Sequence, residues 1–131
     1  MRKTKWSTKN FYQSLKCALT GVKEIFTSQR NIIIQVVIAI IAIALGFIFK
    51  ISSGEWIAIA IVIGSVIAME STNTAIEFTV DLITEERNEK ARIAKDASAA
   101  GVLIASFTAT VVGVIIFLPK IIQFISMYYN K

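Results

Sequence analysis

Four polar residues stand where a long apolar run should simply continue: Glu70, Asn73, Glu77 and Asp81, in the stretch Glu70-Ser-Thr-Asn73-Thr-Ala-Ile-Glu77-Phe-Thr-Val-Asp81. In a helix, at about 100° per residue, Asn73, Glu77 and Asp81 fall near about −60°, −20° and +20° from Glu70, on one narrow face. Carboxylates beside a membrane boundary are costly to keep and mark a functional site by default. Lys95-Asp96 opens the next apolar run. A short connection returns it to the same surface, where the inventory becomes four carboxylates, one amide and one lysine within reach of each other. Magnesium prefers carboxylate and phosphate oxygens and keeps several waters. Lysine neutralises phosphate charge, and a carboxylate takes a proton from a hydroxyl nucleophile. The set therefore suits a magnesium-bound polyphosphate. The bland reading is structural ion pairing at a membrane edge, such as Lys95 with Glu77 or Asp81.

Other chemistries are excluded by what is missing. The chain has no histidine and one cysteine, Cys17. That removes internal disulfides, His-based metal sites, Cys-His nucleophiles and histidine bases. Neither common type of phosphate-binding glycine loop is present.

The elements that must position these groups are apolar helices. Of the 131 residues, 55% are hydrophobic, and the mean hydropathy is +0.65. Long apolar runs cover 32–49, 56–69 and 97–118. A membrane span needs about 20 helical residues, so the second run must continue through Glu70 toward Asp81. The expected architecture is an all-α integral membrane protein, one domain over 1–131. It has an N-terminal amphipathic interfacial helix (1–29), three transmembrane helices (31–50, 55–84 and 93–118) and an outer tail (119–131). The first apolar run reads as a retained span rather than a signal peptide.

Charge sets the expected topology. Residues 1–30 carry seven Lys/Arg and one acid, and 82–96 carry Arg87, Lys90, Arg92 and Lys95. The other side has only Lys50, Lys120 and Lys131. The positive-inside rule puts the N-terminus and the 82–96 connection in the cytoplasm of the cell membrane, and the C-terminus outside. The net charge of +5 fits anionic headgroups and requires no nucleic acid.

Phe11, Leu15, Leu19, Val22 and Phe26 recur at helical spacing, with Lys9, Lys16 and Lys23 on another face, and Trp6 is placed to anchor this helix at the interface. Small residues step by four along the second span (Ala60, Gly64, Ala68, Thr72) and the third (Ala97, Gly101, Ala105, Ala109, Gly113). Such ladders let helices approach closely in lipid and predict tight packing within and between protomers. The connection from Thr84 to Lys90 should be a solvated loop whose Glu85, Glu86 and Glu89 are surface charge. Pro119 should end the third helix, leaving Phe124, Met127, Tyr128 and Tyr129 as an aromatic tail.

Glu70-x-x-Asn73-Thr74-Ala75-Ile76-Glu77-x-x-Val80-Asp81, followed by Ala94-Lys95-Asp96, closely resembles the signature of the prokaryotic diacylglycerol kinase family. The resemblance covers nearly the whole chain. It implies a small homotrimeric membrane enzyme that transfers the γ-phosphate of ATP, with Mg2+, to a lipid alcohol. The Lys95-Asp96-Ala97-Ser98-Ala99-Ala100-Gly101 run is similar to the Gram-positive branch, which implies undecaprenol as acceptor, with diacylglycerol as the alternative. By position, the resemblance implies Glu70 as general base and Glu77 as ligand of ATP-bound magnesium. It implies that Asn73 orients substrate or phosphate, and that Lys95 and Asp96 contact nucleotide, in a site shared by two protomers. One position departs. Gln29 stands where members of that family commonly carry a second metal-binding glutamate; its amide can ligate magnesium without adding charge, and Glu24 lies further back on the same helix.

A small ion-coupled transporter also uses intramembrane glutamate and small-residue ladders. Its sites lie near the midplane on interrupted helices, whereas the polar groups here cluster at one surface.

Overall fold

The computed structural model describes residues 11–28, 30–84 and 86–129. Among them are four helices: α1 (Phe11–Ser28), α2 (Arg30–Ile48), α3 (Ser53–Ile83) and α4 (Glu89–Tyr129). Three are long and apolar enough to cross a membrane. At 1.5 Å per residue α2 is about 28 Å long, close to the hydrocarbon thickness, while α3 and α4 run to about 46 and 61 Å. The two longer helices must therefore project beyond the apolar layer that α2 fills.

Helix α2 ends by backbone chemistry rather than by a breaker. Lys50 takes a left-handed conformation, φ 49°. The Ile51 N–H donates to Gly46 O at 3.1 Å and the Lys50 N–H to Phe47 O at 3.3 Å, the two bonds of a Schellman ending. Two residues later Ser52 caps α3: its hydroxyl accepts from the Glu55 N–H at 3.4 Å, and Glu55 accepts from the Ser52 N–H at 2.7 Å. At this turn end a small apolar core forms from Ile51, Ile59, Ile116 and Phe117, with Leu45, Phe49 and Trp56 packed on it.

At the other end α3 stops at Thr84, and Asn88 starts α4 by accepting from the Lys90 and Ala91 N–H groups at 2.9 and 3.3 Å. The hairpin α3–α4 is antiparallel and forms the longest interface. The connection is exposed at Glu86 and Arg87, as a solvated loop requires. Because the Asn88 cap begins the helix at Glu89, the third apolar helix starts four residues before the expected 93.

Two expectations are corrected. Pro119 does not end the third helix; it lies inside α4, which continues to Tyr129. The ring removes one backbone bond, and apolar surroundings tolerate such a proline when neighbours hold the helix on both sides. Here Lys120 pairs with Glu55 at 2.9 Å and Phe124 packs edge-on against Phe49, with ring centroids 6.3 Å apart. The small-residue ladders also part company. The α4 positions Gly101, Ala105, Ala109 and Gly113 turn partly inward. Ala60, Gly64, Ala68 and Thr72 of α3 are all exposed, so that ladder packs nothing within the protomer. Trp6, Glu85 and Gln29 lie outside the described residues, as do the side chains of Tyr128 and Tyr129.

Glycine matters most at Gly46, where a Cβ would lie 2.7 and 2.9 Å from Trp56 ring atoms. The indole packs on the core and against the Phe47 ring, with centroids 5.0 Å apart, so moving it aside disrupts both contacts. At Gly101 the only clash is with the tip of Met69, a flexible side chain that can swing away. Gly46→Ala should therefore cost about 1–3 kcal/mol of stability and Gly101→Ala well under half of that. Thermal unfolding in detergent, followed by circular dichroism, checks the order.

Candidate active site

Apolar α3 buries three polar side chains toward one end, and α4 adds a fourth. Glu70 is 1% exposed, Asn73 7% and Thr74 2%, and Ser98 of α4 is 8% exposed. Groups this deep need partners, since an unsatisfied buried polar atom costs about 1–3 kcal/mol. Thr74 solves its problem locally, donating to Glu70 O at 3.0 Å. The others reach across helices.

Gln35 of α2 donates its Nε2–H to Glu70 Oε2 at 3.0 Å. Ser98 donates to Asn73 Oδ1 at 2.6 Å, and Asn73 Nδ2 donates to Glu77 Oε1 at 2.9 Å. Farther along, Lys95 Nζ meets Asp81 Oδ1 at 2.5 Å. Three helices are thus stitched by Gln35–Glu70, Asn73–Ser98 and Asp81–Lys95. Beside them lies a cavity of about 390 Å³ lined by Asn31, Gln35, Glu70, Asn73, Leu103 and Ser106, among others. An apolar cleft of about 460 Å³ between α2, α3 and α4 shares Gln35 and Ser106 with it.

The predicted residues do occupy one face of α3, but they do not form one cluster. Seven residues of helix separate Glu70 from Glu77 and eleven separate it from Asp81, about 10 and 16 Å of axial rise. Gln35 is level with Glu70, so Glu77 lies about 10 Å further along, past the start of α2. Glu70 belongs to the apolar depth; Asp81, which is exposed, and Lys95 belong to the edge. Asp96, exposed on α4, pairs instead with Arg92 at 2.6 Å, which also grips Glu89 at 2.6 Å. The expectation of four carboxylates within reach of each other is corrected accordingly: spacing put them on one face but ignored length along it.

Among the described residues no three acidic side chains stand close enough to share a metal ion. The donor set nevertheless fits magnesium of a particular kind. Magnesium carried by phosphates needs only one or two protein carboxylates, and Glu77 is such a group, its Oε1 oriented by Asn73. An all-protein magnesium cage is what the described residues do not fit.

Sequence reasoning missed two contributors. Gln35 is the single polar side chain between Ile32 and Phe49, and that isolation was its signal. Ser98 lies one turn after Lys95, on the α4 face that meets Asn73. A serine among alanines gives little warning.

Three apolar helices, a buried carboxylate and a polar layer at one end define a multi-pass membrane protein with an enzyme-like site. Comparison with known proteins makes this specific. Residues 16–117 match the prokaryotic diacylglycerol kinase family, and the chain belongs to that family of lipid kinases. It is 37% identical over 111 residues to the undecaprenol kinase of Bacillus subtilis, covering 85% of this chain and 90% of that protein. It is 31% identical over 125 residues to the diacylglycerol kinase of a Synechocystis species, covering 94% of this chain and 71% of that protein. A kinase family implies ATP as phosphate donor, and the transporter alternative is set aside.

Removing the Ser98 hydroxyl would leave Asn73 Oδ1 buried without that donor. Ser98→Ala should cost about 1–3 kcal/mol. Asp81→Asn, at a pair whose side chains are 37% and 60% exposed, should cost about 1 kcal/mol or less. Parallel thermal melts of the two variants test this ranking.

Proposed function

We propose that the chain phosphorylates undecaprenol at the inner leaflet of the plasma membrane, moving the γ-phosphate of ATP onto the lipid hydroxyl with Mg2+. The observation that carries this reading is Glu70. Its carboxylate is buried at apolar depth, fixed through Oε2 by Gln35, while Oε1 has no partner and the residue lines a cavity. A fixed carboxylate with one free oxygen suits a general base for an alcohol that arrives through lipid. The proton of the hydroxyl passes to Glu70 Oε1, the alcohol oxygen bonds to the γ-phosphorus, and the bond to the bridging oxygen of ADP breaks.

The level of each residue supports the remaining roles. Glu77 stands about 10 Å nearer the aqueous side, where ATP brings its magnesium, and Asn73 bridges base and metal levels. Lys95 lies at the edge, suited to phosphate charge. Asp96 is held on the outside of α4 by Arg92 and would reach nucleotide only from there. Gln29 remains a candidate second ligand. Bound magnesium would neutralise charge on the phosphates, and positioning would supply the rest of the acceleration.

A homotrimer is proposed with it. The α3 ladder of Ala60, Gly64, Ala68 and Thr72 is exposed along its whole length, and small residues in lipid favour close helix contacts. A second protomer would also supply the acidic groups one chain lacks. The basic N-terminal segment and the basic residues of 82–96 support a topology with the site end in the cytoplasm and the C-terminus outside. In the same reading α1 lies in the cytoplasmic interface, its Phe11, Leu15, Leu19, Val22 and Phe26 exposed in one stripe for lipid.

Diacylglycerol is the second reading, favoured by the cyanobacterial relative. Both lipids present a primary hydroxyl at the interface. The purified protein with labelled ATP and magnesium should transfer label to undecaprenol at least tenfold faster than to diacylglycerol; the reverse order would assign the second substrate. Glu70→Gln should reduce transfer by at least a thousandfold while the protein still folds and binds ATP, and chelation of magnesium should stop the wild type. Retained activity in the Gln variant would remove Glu70 as base.

A further inference from the structure

The Gln35–Glu70 contact leaves a specific remainder. A half-buried amide and a buried carboxylate share one hydrogen bond, and each keeps a buried oxygen with no partner: Gln35 Oε1 and Glu70 Oε1. Among the described residues these are the only two buried side-chain polar atoms so placed. The orientation of the amide follows from the contact, since only its NH2 end can donate to a carboxylate. Both residues line the same cavity between α2, α3 and α4. Buried acceptors without donors are costly, and two of them on a bonded pair of residues that line one cavity call for a ligand that brings an O–H.

We propose that Gln35 is a positioning residue of the transfer reaction, holding the base through Nε2 and receiving the acceptor alcohol through Oε1. The inference rests on the reading of Glu70 as base. The incoming hydroxyl donates one proton, shared at first between Gln35 Oε1 and Glu70 Oε1 in a three-centre bond. A carboxylate is far more basic than an amide oxygen, so the proton leaves with Glu70 Oε1. The alcohol oxygen, held by two fixed acceptors, keeps its lone pair directed at phosphorus. Gln35 does not itself accept the proton. It fixes which carboxylate oxygen is the base and where the nucleophile stands, two conditions on which transfer depends steeply.

The prediction differs from that for a packing residue. Gln35→Leu keeps volume and removes both polar functions. It should lower kcat for undecaprenol phosphorylation by ten- to a hundredfold and raise the lipid KM, with the KM for ATP unchanged. Gln35→Glu keeps the size and one oxygen but replaces the donor nitrogen with a second acceptor oxygen. At neutral pH two adjacent carboxylates should repel and activity should fall as strongly. As the pH is lowered, a protonated side chain at position 35 can donate to Glu70 and activity should recover in part, giving an acid-shifted profile the wild type does not have. The other polar residues lining this cavity, Asn31, Asn73 and Ser106, carry no charge, so the new limb belongs to the pair. Glu70→Gln is measured alongside, and all proteins are reconstituted in vesicles and melted to confirm folding.

If Glu70→Gln is inactive while Gln35→Leu stays within twofold of wild type, the Gln35 assignment is overturned and the base survives. If Glu70→Gln is active, the base reading fails first. A Gln35→Leu protein that does not fold leaves the decision to Gln35→Glu: an acid-shifted profile supports the assignment, and an unshifted profile overturns it.

Discussion

The structure depends on one constraint: a carboxylate carried into an apolar layer must be met by donors from other helices. Glu70 is buried almost completely, and within an apolar layer polar groups are satisfied chiefly by the protein itself. Gln35 meets it from α2. The same constraint recurs along α3, where Asn73 is met by Ser98 of α4. Each pairing fixes the register of one helix against another more strictly than aliphatic packing can, because a one-residue slip would strand a buried polar group. The site is thus also what aligns the bundle at that end.

The opposite end is aligned by different means. Ile51, Ile59, Ile116 and Phe117 form a small plug, closed by the Schellman turn and by the Glu55–Lys120 pair. Between plug and polar layer the helices diverge around an open apolar cleft. A protomer so thin buries few of its large apolar side chains, which is tolerable only where lipid or other helices cover them. The outward α3 ladder suits the second kind of cover, because small residues admit a neighbouring backbone where long aliphatic chains would hold it off.

How much of this the sequence disclosed depends on the physical scale of each question. Hydropathy located the three long helices, since length and apolarity are properties of the segment alone. Helical phase put Glu70, Asn73, Glu77 and Asp81 on one face. Phase says nothing about depth, however, and depth is what separates Glu70 from Asp81. The sequence motif did not disclose that Asp96 has a local partner, Arg92, one turn away, a nearest-neighbour pairing common on helix surfaces. Pro119 misled for the converse reason. The local rule says stop, but Lys120 and Phe124 are held by tertiary partners on the far side. Gln35 was legible in principle, as the lone polar group of an apolar run, but without α3 beside it nothing said what it met.

The separation of levels along α3 carries its own argument about mechanism. A single compact acidic cluster would bind magnesium tightly but would place base and metal side by side, where the positive ion would hold the base in its charged, weakly basic state. Seven residues of helix keep the two carboxylates about 10 Å apart, so in the proposed reading Glu70 would stand clear of the charge of an ion held at Glu77. The gap suits a triphosphate with its terminal group toward the lipid and its metal toward the water. Asn73 lies between, bound at once to Glu77 and to α4, so that α4 helps set the orientation of the Glu77 carboxylate. A rigid helix supplies the spacing and the lateral hydrogen bonds supply the orientation, and the orientation would not hold with an aliphatic residue at position 35 or 98.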